Sequence, residues 1–294
     1  MYDIIIIGAG PSGMTAALYA LRANKKVLVL EALTYGGQII NTLRIDNYPA
    51  APHISGVDFA TNLYNQIMEM GCEFKFEKVV DIKDHTVITN ENKYDGRAII
   101  IATGATNKKL GLPLEDKFIG RGISYCATCD GNFYKGKVVA VNGGGNTAIE
   151  DAIYLSNICS KVYLIHRRDE FRASEVTVNE LKEKENVEFV LNSQITSLVG
   201  NDKLEKIIIN NDCELNVDGL FIAIGQVPET NNFTNILNLD DSGYVISNDM
   251  KTDIPGLYVC GDVRSKSLRQ LTTAISDGAI AATAAINDIN NKII

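Results

Sequence analysis

The sequence predicts an α/β protein built from two copies of one strand–turn–helix–strand unit, with the second copy inserted in the first. A glycine-rich turn occurs twice, at residues 8–13 and 143–148, each time between a short apolar run and a helical pattern. In both copies a second apolar run ends 23 positions after the first glycine, at Glu31 and at His166. Both copies later close on an alanine–X–glycine tripeptide. These repeats favour two Rossmann-like domains.

Length, charge and hydropathy narrow the class of protein. The chain has 294 residues, which suggests about two domains. Its net charge of −8 argues against a nucleic acid or an anionic membrane surface as partner. The N-terminus lacks the basic start of a signal peptide, and no apolar run approaches the ~20 residues of a membrane span. We therefore expect a soluble, cytoplasmic protein.

The first copy begins with a predicted buried strand at Asp3–Ile7 and continues, after the turn, as a helix over Met14–Ala23. The turn Gly8–Gly13 has the pattern G-x-G-x-x-G, in which glycines allow a tight bend and close approach of a pyrophosphate. A second strand, Val27–Leu30, leads into Glu31. An acidic residue about 20 positions after the turn can accept ribose hydroxyls. This order predicts a dinucleotide site.

A long irregular segment, residues 36–49, follows the second strand. Long loops inside compact domains are usually functional, and its glycine content would suit a flat ligand, although a surface excursion is the alternative. The remaining elements predicted for this copy are a helix and three strands, at Val57–Met70, Val79–Lys83, Thr86–Thr89 and Ala98–Ile101.

The second copy repeats the pattern with a different residue at the end of its second strand. Strand Lys137–Val141, the turn Gly143–Ala148, helix Ile149–Ser156 and strand Val162–Ile165 precede His166. Arg167 and Arg168 follow directly, and Arg172 comes one turn later. Arginines bind a 2′-phosphate that a carboxylate would repel. The first copy therefore favours a nucleotide without that phosphate, and the second favours NADPH.

The end of the chain is predicted to return to the first copy. A strand meander is expected at Val187–Val190, Gln194–Leu198, Leu204–Asn210 and Gly219–Ile224. A strand at Gly256–Val259 would complete the first sheet, and a small-residue helix at Leu271–Ile286 would close the domain. The predicted domains are 1–112 with 236–294, which binds the nucleotide without a 2′-phosphate, and 113–235, which binds NADPH.

The motif Cys126-Ala127-Thr128-Cys129-Asp130 is the candidate reaction centre. A C-x-x-C pair can open and close as a disulfide, and Asp130 can give or take a proton as it does so. Alone, the motif is also compatible with chance or with half of a zinc site. No complement of four Cys or His ligands accompanies it, so redox activity is favoured and no metal is expected. The other cysteines are predicted to be small buried apolar residues: Cys72, Cys159, Cys213 and Cys260.

Over essentially its whole length the chain resembles the low-molecular-weight NADPH-dependent thioredoxin reductases. The motif C-A-T-C-D beside H-R-R-D-x-x-R-A is highly specific for that family. The other matching motifs, in family order, are Gly8–Gly13, Glu31, Gly36-Gly37-Gln38, Asn47-Tyr48-Pro49, Gly143–Ala148, Gly261-Asp262 and Arg269-Gln270. Ala50, Asn146 and Ser276 depart from the family pattern, and the segment 51–58 is unusual.

The resemblance implies FAD/NAD(P)-binding domains of the three-layer ββα type, FAD as cofactor, a homodimer, and oxidised thioredoxin as the protein substrate. It implies that Cys129 faces the flavin, that Cys126 attacks the partner, and that Asp130 is the acid/base. The residues expected at FAD are Gly8, Gly10, Pro11, Ser12, Gly13, Glu31, Gly37, Gln38, Asn47, Gly104, Gly261, Asp262, Arg269 and Gln270. Those expected at NADPH are Gly143, Gly145, Asn146, Thr147, His166, Arg167, Arg168 and Arg172.

Two alternatives stay open. A reductase of the same fold can serve another acceptor or use another electron donor. A non-catalytic NADP(H)-sensing protein with a structural C-x-x-C is the alternative from a different functional class. Yellow colour that bleaches with NADPH, followed by electron transfer to a disulfide, separates an enzyme from a sensor.

Overall fold

The computed structural model describes residues 1–294 and divides into two compact units, 1–106 with 227–294 (unit 1) and 107–226 (unit 2). The first segment of unit 1 contains β1 (Tyr2–Ile7), α1 (Pro11–Arg22), β2 (Val27–Glu31), α2 (Gly56–Glu69), β3 (Glu73–Phe76), β4 (Val79–Lys83), β5 (Thr86–Thr89), β6 (Lys93–Ile101) and the crossing strand β7 (Ala105–Asn107). Unit 2 contains α3 (Glu115–Phe118), β8 (Ile123–Ser124), α4 (Ala127–Asp130), β9 (Val138–Asn142), α5 (Asn146–Ser156), β10 (Lys161–Ile165), α6 (Glu175–Lys182), β11 (Val187–Val190), β12 (Ile195–Gly200), β13 (Leu204–Ile209), β14 (Cys213–Asn216) and β15 (Gly219–Ile222). The chain returns through β16 (Gln226–Pro228) to β17 (Leu257–Val259) and α7 (Leu271–Asn290).

Unit 1 is a three-layer body around one parallel sheet. Strands β1, β2, β3, β6 and β17 pair in parallel, and β4 and β5 continue antiparallel from β6. Successive residues of β1 enter different cores: Ile4 and Ile6 pack with α1 and α7, whereas Ile5 and Ile7 pack towards β4 and β5. Burial on both faces explains why the strand is a continuous apolar run. The predicted return of the chain to this sheet through β17 is confirmed.

Unit 2 repeats the same three layers. Its parallel sheet has the order β11-β10-β9-β15-β8, with α5 and α6 packed on one face. A separate antiparallel sheet of β12, β13 and β14 contributes to the core on the other face. Unit 2 therefore has the same layered architecture as unit 1, and the predicted fold class is confirmed. No helix of the chain is both long enough and apolar enough to cross a membrane.

The prediction of a four-strand meander is wrong. Only β12, β13 and β14 form a meander, whereas β11 and β15 pair in parallel with β10 and β9. All four residues of β15 are buried. An apolar run without alternation is typical of a strand covered on both faces. That feature distinguishes β15 from the half-exposed strands β12, β13 and β14, which precede it in the chain.

The limits of the two units come six and nine residues earlier in the chain than the predicted boundaries at 112/113 and 235/236. The structure places them at 106/107 and 226/227, where β7 and β16 pair with each other as a two-stranded sheet. Residues 108–112 belong to unit 2 because Lys108 N donates to Gly225 O and Leu110 N donates to the Glu115 carboxylate. Phe233 belongs to unit 1, where it is buried in the core beneath the sheet.

Three of the four isolated cysteines are buried, as predicted, but Cys213 is exposed. It begins β14, the outer strand of the antiparallel sheet, where only Leu215 is partly covered. Cys213 lies on the same face of the strand as Leu215, and it is exposed because it is the first residue of an edge strand.

Ala50 adopts a left-handed backbone conformation with φ of 67°. Glycine adopts this region freely, whereas a residue with a Cβ is strained there. We expect Ala50→Gly to raise the free energy of unfolding by about 0.5–1 kcal/mol, since the relief of strain exceeds the added chain entropy. Chemical denaturation measures the change. Ala51→Gly is the control, because residue 51 has no positive φ and should lose stability instead.

Candidate functional site

The glycine turn of unit 1 leaves a helix N-terminus open. Gly8 has φ of 103°, and a Cβ there would lie 2.4 Å from the Ala102 carbonyl oxygen, so only glycine fits against β6. Gly10 is the N-cap of α1, forms no side-chain cap, and has open space where a Cβ would be. Pro11 at the first helical position has no N–H to satisfy. The remaining first-turn amides and the helix dipole suit a phosphate.

Glu31 lies beside this turn. Its Oε2 accepts a hydrogen bond from Ala9 N at 2.9 Å, and its Oε1 accepts one from Leu33 N at 2.9 Å. Gly36 N donates to Ala9 O at 2.7 Å, which brings the irregular segment with Gly37 and Gln38 onto the turn. Tertiary contact therefore joins three motifs that are separated in the sequence.

The tail of the chain contributes a buried acceptor to the same unit. Gly261 approaches Ser12 so closely that a Cβ on it would lie 2.3 Å from the Ser12 hydroxyl oxygen. The next residue, Asp262, has a buried Oδ1 that forms no hydrogen bond, with the Lys266 ammonium 3.0 Å away as counter-ion. A buried carboxylate oxygen that accepts no hydrogen bond is costly unless a ligand donates one to it, so Asp262 fits a ligand hydroxyl.

Asn47 and Gln270 are brought together, and the neighbouring Arg269 is held by its own loop. Asn47 Nδ2 donates to Gln270 Oε1 at 2.9 Å. The Arg269 guanidinium stacks 3.8 Å above the Tyr244 ring and donates to the backbone carbonyls of residues 262, 264 and 266. Arg269 therefore shapes the loop that carries Asp262. Gly104, with φ of 74°, accepts a hydrogen bond from residue 229 at the end of the sheet.

Sequence reasoning missed Asp277, which supports the loop around Asp262. It is 4% exposed and accepts hydrogen bonds from Gly261 N, from Arg264 at Nε and Nη2, and from Lys266 Nζ. An aspartate among the small residues of an alanine-rich helix was the available signal, because a buried carboxylate requires such partners.

Cys126 and Cys129 are joined by a disulfide at the start of the short helix α4. Their Cα atoms are 5.3 Å apart, and Cys129 N lies 3.2 Å from Cys126 Sγ. Both residues are partly buried. An amide directed at Sγ from a helix N-terminus stabilises a thiolate there once the disulfide opens. Nowhere does the structure gather three or more His, Cys, Asp or Glu side chains into a metal-binding group.

Asp130 lies at the other end of the same turn and is held by Ser124. Ser124 Oγ donates to Asp130 Oδ2 at 2.7 Å, and Cys126 N donates to Ser124 Oγ at 3.1 Å. Burial raises the pKa of the Asp130 carboxyl above its ordinary value of 3.8, and the hydrogen bond from Ser124 opposes this only in part. A carboxyl that retains its proton to higher pH is suited to proton donation beside a dithiol. Ser124 itself has no sequence signature.

Unit 2 encloses a cavity of about 620 Å³, within the range of small-molecule sites. Its walls include the glycine turn with Asn146 and Thr147 and the segment 166–168 with Arg172. A Cβ on Gly143 would lie 2.4 Å from the Ala223 carbonyl oxygen, which repeats the packing of Gly8. Gly145 is the uncapped N-cap of α5 and has open space at its Cβ position, as Gly10 has in unit 1.

Positive charge on one wall of this cavity has no partner in the chain. Arg167, Arg168 and Arg172 are all exposed, and none forms an ion pair with a carboxylate. His166 is buried beneath Gly144, where a Cβ would lie 2.2 Å from the imidazole. Burial lowers the pKa of His166, and the neighbouring arginines lower it further. The imidazole is therefore neutral near pH 7, and the positive charge of the wall comes from the arginines.

Two dinucleotide-type units, one of which carries a disulfide with a proton donor beside it, define an oxidoreductase that exchanges electrons through a disulfide. The chain belongs to the pyridine nucleotide-disulphide oxidoreductase family, which matches residues 2–278. Membership implies a flavin and a pyridine nucleotide as cofactors.

Similar proteins extend over nearly the whole chain. Thioredoxin reductase of Listeria monocytogenes is 42% identical over 292 residues, with 96% of this chain and 92% of the relative covered. Thioredoxin reductase of Bacillus subtilis is 41% identical, with 96% and 93% covered. The crystal structure of thioredoxin reductase from Streptococcus pyogenes superimposes with a TM-score of 0.95 at 39% identity and covers 99% of both chains.

Proposed function

We propose that this protein is an NADPH-dependent thioredoxin-disulfide reductase that contains FAD. The observation that carries the proposal is the arrangement inside unit 2, where the Cys126–Cys129 disulfide and the neighbouring Asp130, whose pKa burial raises, share one body with an arginine-lined nucleotide cavity. The relatives named above support thioredoxin as the acceptor.

FAD is proposed to bind to unit 1. The open N-terminus of α1 at Gly10 would hold its pyrophosphate, Glu31 its ribose, and Asp262 a hydroxyl of its ribityl chain. The remaining FAD contacts proposed from the resemblance are Gly8, Pro11, Ser12, Gly13, Gly37, Gln38, Asn47, Gly104, Gly261, Arg269 and Gln270. FAD held there would supply two-electron redox chemistry between a reduced nicotinamide and the disulfide.

NADPH is proposed to bind to unit 2, with its pyrophosphate at the uncapped N-terminus of α5 and its 2′-phosphate at the three arginines. Because these guanidinium groups have no carboxylate partner, a phosphate would supply the missing negative charge. NADH offers no group at that position, so the arginines discriminate between the two nucleotides.

The reduced dithiol is proposed to transfer its electrons by thiol–disulfide exchange. The Cys126 thiolate attacks one sulfur of the partner disulfide, forms a mixed disulfide and releases the partner's other sulfur as a thiolate. The Cys129 thiolate then attacks Cys126 Sγ, restores the intrachain disulfide and releases the second partner sulfur. Asp130, positioned by Ser124, provides the proton that a departing thiolate takes up.

An anaerobic titration tests the proposal. NADPH is added to the purified protein while flavin absorbance is followed, and oxidised thioredoxin is then added. We expect bleaching by NADPH and recovery of absorbance with thioredoxin. Bleaching that another disulfide reverses but thioredoxin does not would reassign the acceptor, and a colourless protein inert to NADPH would favour the sensor. The homodimer and the cytoplasmic location stay predictions.

Replacing Arg167 and Arg168 together with alanine is expected to raise KM for NADPH by about 10- to 100-fold, the range for lost hydrogen bonds to charged groups. KM for NADH should change by less than about twofold, since NADH has no 2′-phosphate for these side chains to bind. Steady-state kinetics with both nucleotides measures the effect. Lys182→Ala, an exposed cation in the last turn of α6, is the control. Equal increases for both nucleotides would remove the 2′-phosphate assignment.

A further inference from the structure

The arginines of unit 2 lie on an irregular segment between β10 and α6, residues 166–174, here called the arginine loop. Its three guanidinium groups are exposed and unpaired. Binding a phosphate with such side chains costs conformational entropy, and the cost grows if the backbone that carries them must also be ordered. Whatever anchors this backbone therefore affects affinity for a phosphate at that position.

Three contacts anchor the arginine loop to the glycine turn. Arg172 N donates to Gly144 O at 2.8 Å. The His166 ring packs beneath Gly144, and its Nε2 lies 3.2 Å from the Glu170 carbonyl oxygen. Ser174 N donates to Asn146 Oδ1 at 3.0 Å. Asn146 makes the only hydrogen bond from a side chain of the turn to the loop.

The side chain of Asn146 bonds to the arginine loop and not to its own helix. Asn146 is the first residue of α5, and its Oδ1 accepts from Ser174 N, 28 positions away in the sequence. The first-turn amides of α5 have no side-chain cap, because the N-cap residue is Gly145, and they remain available to a ligand phosphate. In the same contact, the backbone two residues beyond Arg172 is fixed at the edge of the cavity.

We propose that Asn146 is a positioning residue that sets the preference for a nucleotide bearing a 2′-phosphate, because it anchors the arginine loop through Ser174 N. This role rests on the proposed NADPH site. A ligand without the 2′-phosphate does not bind the arginines, so a less ordered arginine loop should reduce its affinity little.

The test uses ligands that report the site without turnover. Binding of 2′,5′-ADP and of 5′-AMP to the intact flavoprotein is measured by calorimetry. We expect Asn146→Ala to weaken 2′,5′-ADP by about three- to tenfold, the range of one lost hydrogen bond, and 5′-AMP by less than about twofold. The ratio of kcat/KM for NADPH to that for NADH should fall by the same factor.

Asn157→Ala is the matched control. Asn157 is an exposed asparagine at the other end of the same helix, and its Oδ1 accepts one hydrogen bond, from Lys184 Nζ at 3.0 Å. It should leave both affinities unchanged. A thermal melt of Asn146→Ala that matches the wild-type melt establishes that the variant is folded.

A double-mutant cycle decides whether Asn146 acts through the arginines. In the Arg167→Ala, Arg168→Ala background, Asn146→Ala should have little further effect on 2′,5′-ADP, because the anchored groups are gone. A full additional loss there, or equal weakening of both ligands by Asn146→Ala, overturns the proposal while leaving NADPH as donor. If the wild-type protein binds 5′-AMP as tightly as 2′,5′-ADP, the NADPH assignment fails first, and this role of Asn146 fails with it.

Discussion

Cys126→Ser is expected to abolish thioredoxin reduction, with a loss of at least about 10³-fold, while bleaching of the flavin by NADPH continues. A serine hydroxyl is not ionised near neutral pH and cannot replace the thiolate that attacks the partner disulfide. The variant also cannot close the disulfide with Cys129. Stopped-flow absorbance measures flavin reduction, and a coupled thioredoxin assay measures turnover.

Cys213→Ser is the control for this prediction, since Cys213 is an exposed free thiol in the same unit. It should leave both steps at the wild-type rate. Substantial thioredoxin turnover by Cys126→Ser would contradict the attacking role of Cys126. Cys129→Ser separates the two thiols further: its free Cys126 should trap thioredoxin as a mixed disulfide that is detectable on a non-reducing gel, because no second thiolate resolves it.

Asp130→Asn is expected to slow the dithiol–disulfide step by about 10²–10⁴-fold, the usual contribution of a positioned acid or base. Burial raises the pKa of Asp130, so the carboxyl keeps its proton to higher pH than an ordinary aspartate. The wild-type rate of this step should fall as pH rises through that raised pKa, and the variant should lack this limb. An unchanged rate and pH profile would make Asp130 a spectator.

Asp151→Asn is the matched control for the pH profile. Burial raises the pKa of Asp151 to about 7, and the neighbouring Glu150 adds to the shift. The carboxyl group of Asp151 forms no hydrogen bond or ion pair in the structure. Its replacement should leave the limb assigned to Asp130 in place. If the limb disappears in Asp151→Asn and persists in Asp130→Asn, the titrating group has been assigned to the wrong carboxyl.

The raised pKa of Asp130 also makes the free energy of unfolding depend on pH, and here the charged carboxylate is unfavourable. The folded chain binds the Asp130 proton more tightly than the unfolded chain, so the linked stability is present below the ordinary pKa of 3.8 and is lost as pH rises through the raised value. Asp130→Asn removes this loss and can still accept a hydrogen bond from Ser124. At neutral pH the variant should be at least as resistant to denaturant as the wild-type protein despite its lower activity.

Elements with both faces buried were predictable from the sequence. The apolar runs that became β1, β2, β9 and β10 lie within one or two residues of their predicted limits, because burial on both faces requires continuous hydrophobicity. Helix α6 was missed because its sequence is mostly polar and only Val178 and Leu181 are buried. Strand β3 is at the edge of its sheet and has no fully buried residue, so its pattern is weak.

Chemical motifs were predictable where one short segment contains all the necessary groups. Three motifs are of this kind. The glycine turns lie at helix N-termini, the arginines of 167–172 lie on a cavity wall, and the C-x-x-C-D pentapeptide contains the disulfide. The contacts of the Arg269 guanidinium with the carbonyls of its own loop, by contrast, had no signal in the sequence. Side-chain direction depends on surrounding packing, which spacing along the chain does not determine.

The sequence by itself determined that the protein repeats one nucleotide-binding plan, and which copy carries the carboxylate and which the arginines, because those signals are local and periodic. Only the tertiary structure decided that Ser124 holds Asp130, that Asp277 supports the loop of Asp262, and that Asn146 reaches Ser174. The physical reason is that desolvation and hydrogen-bond pairing depend on which elements pack together, and distant segments meet only in the folded chain.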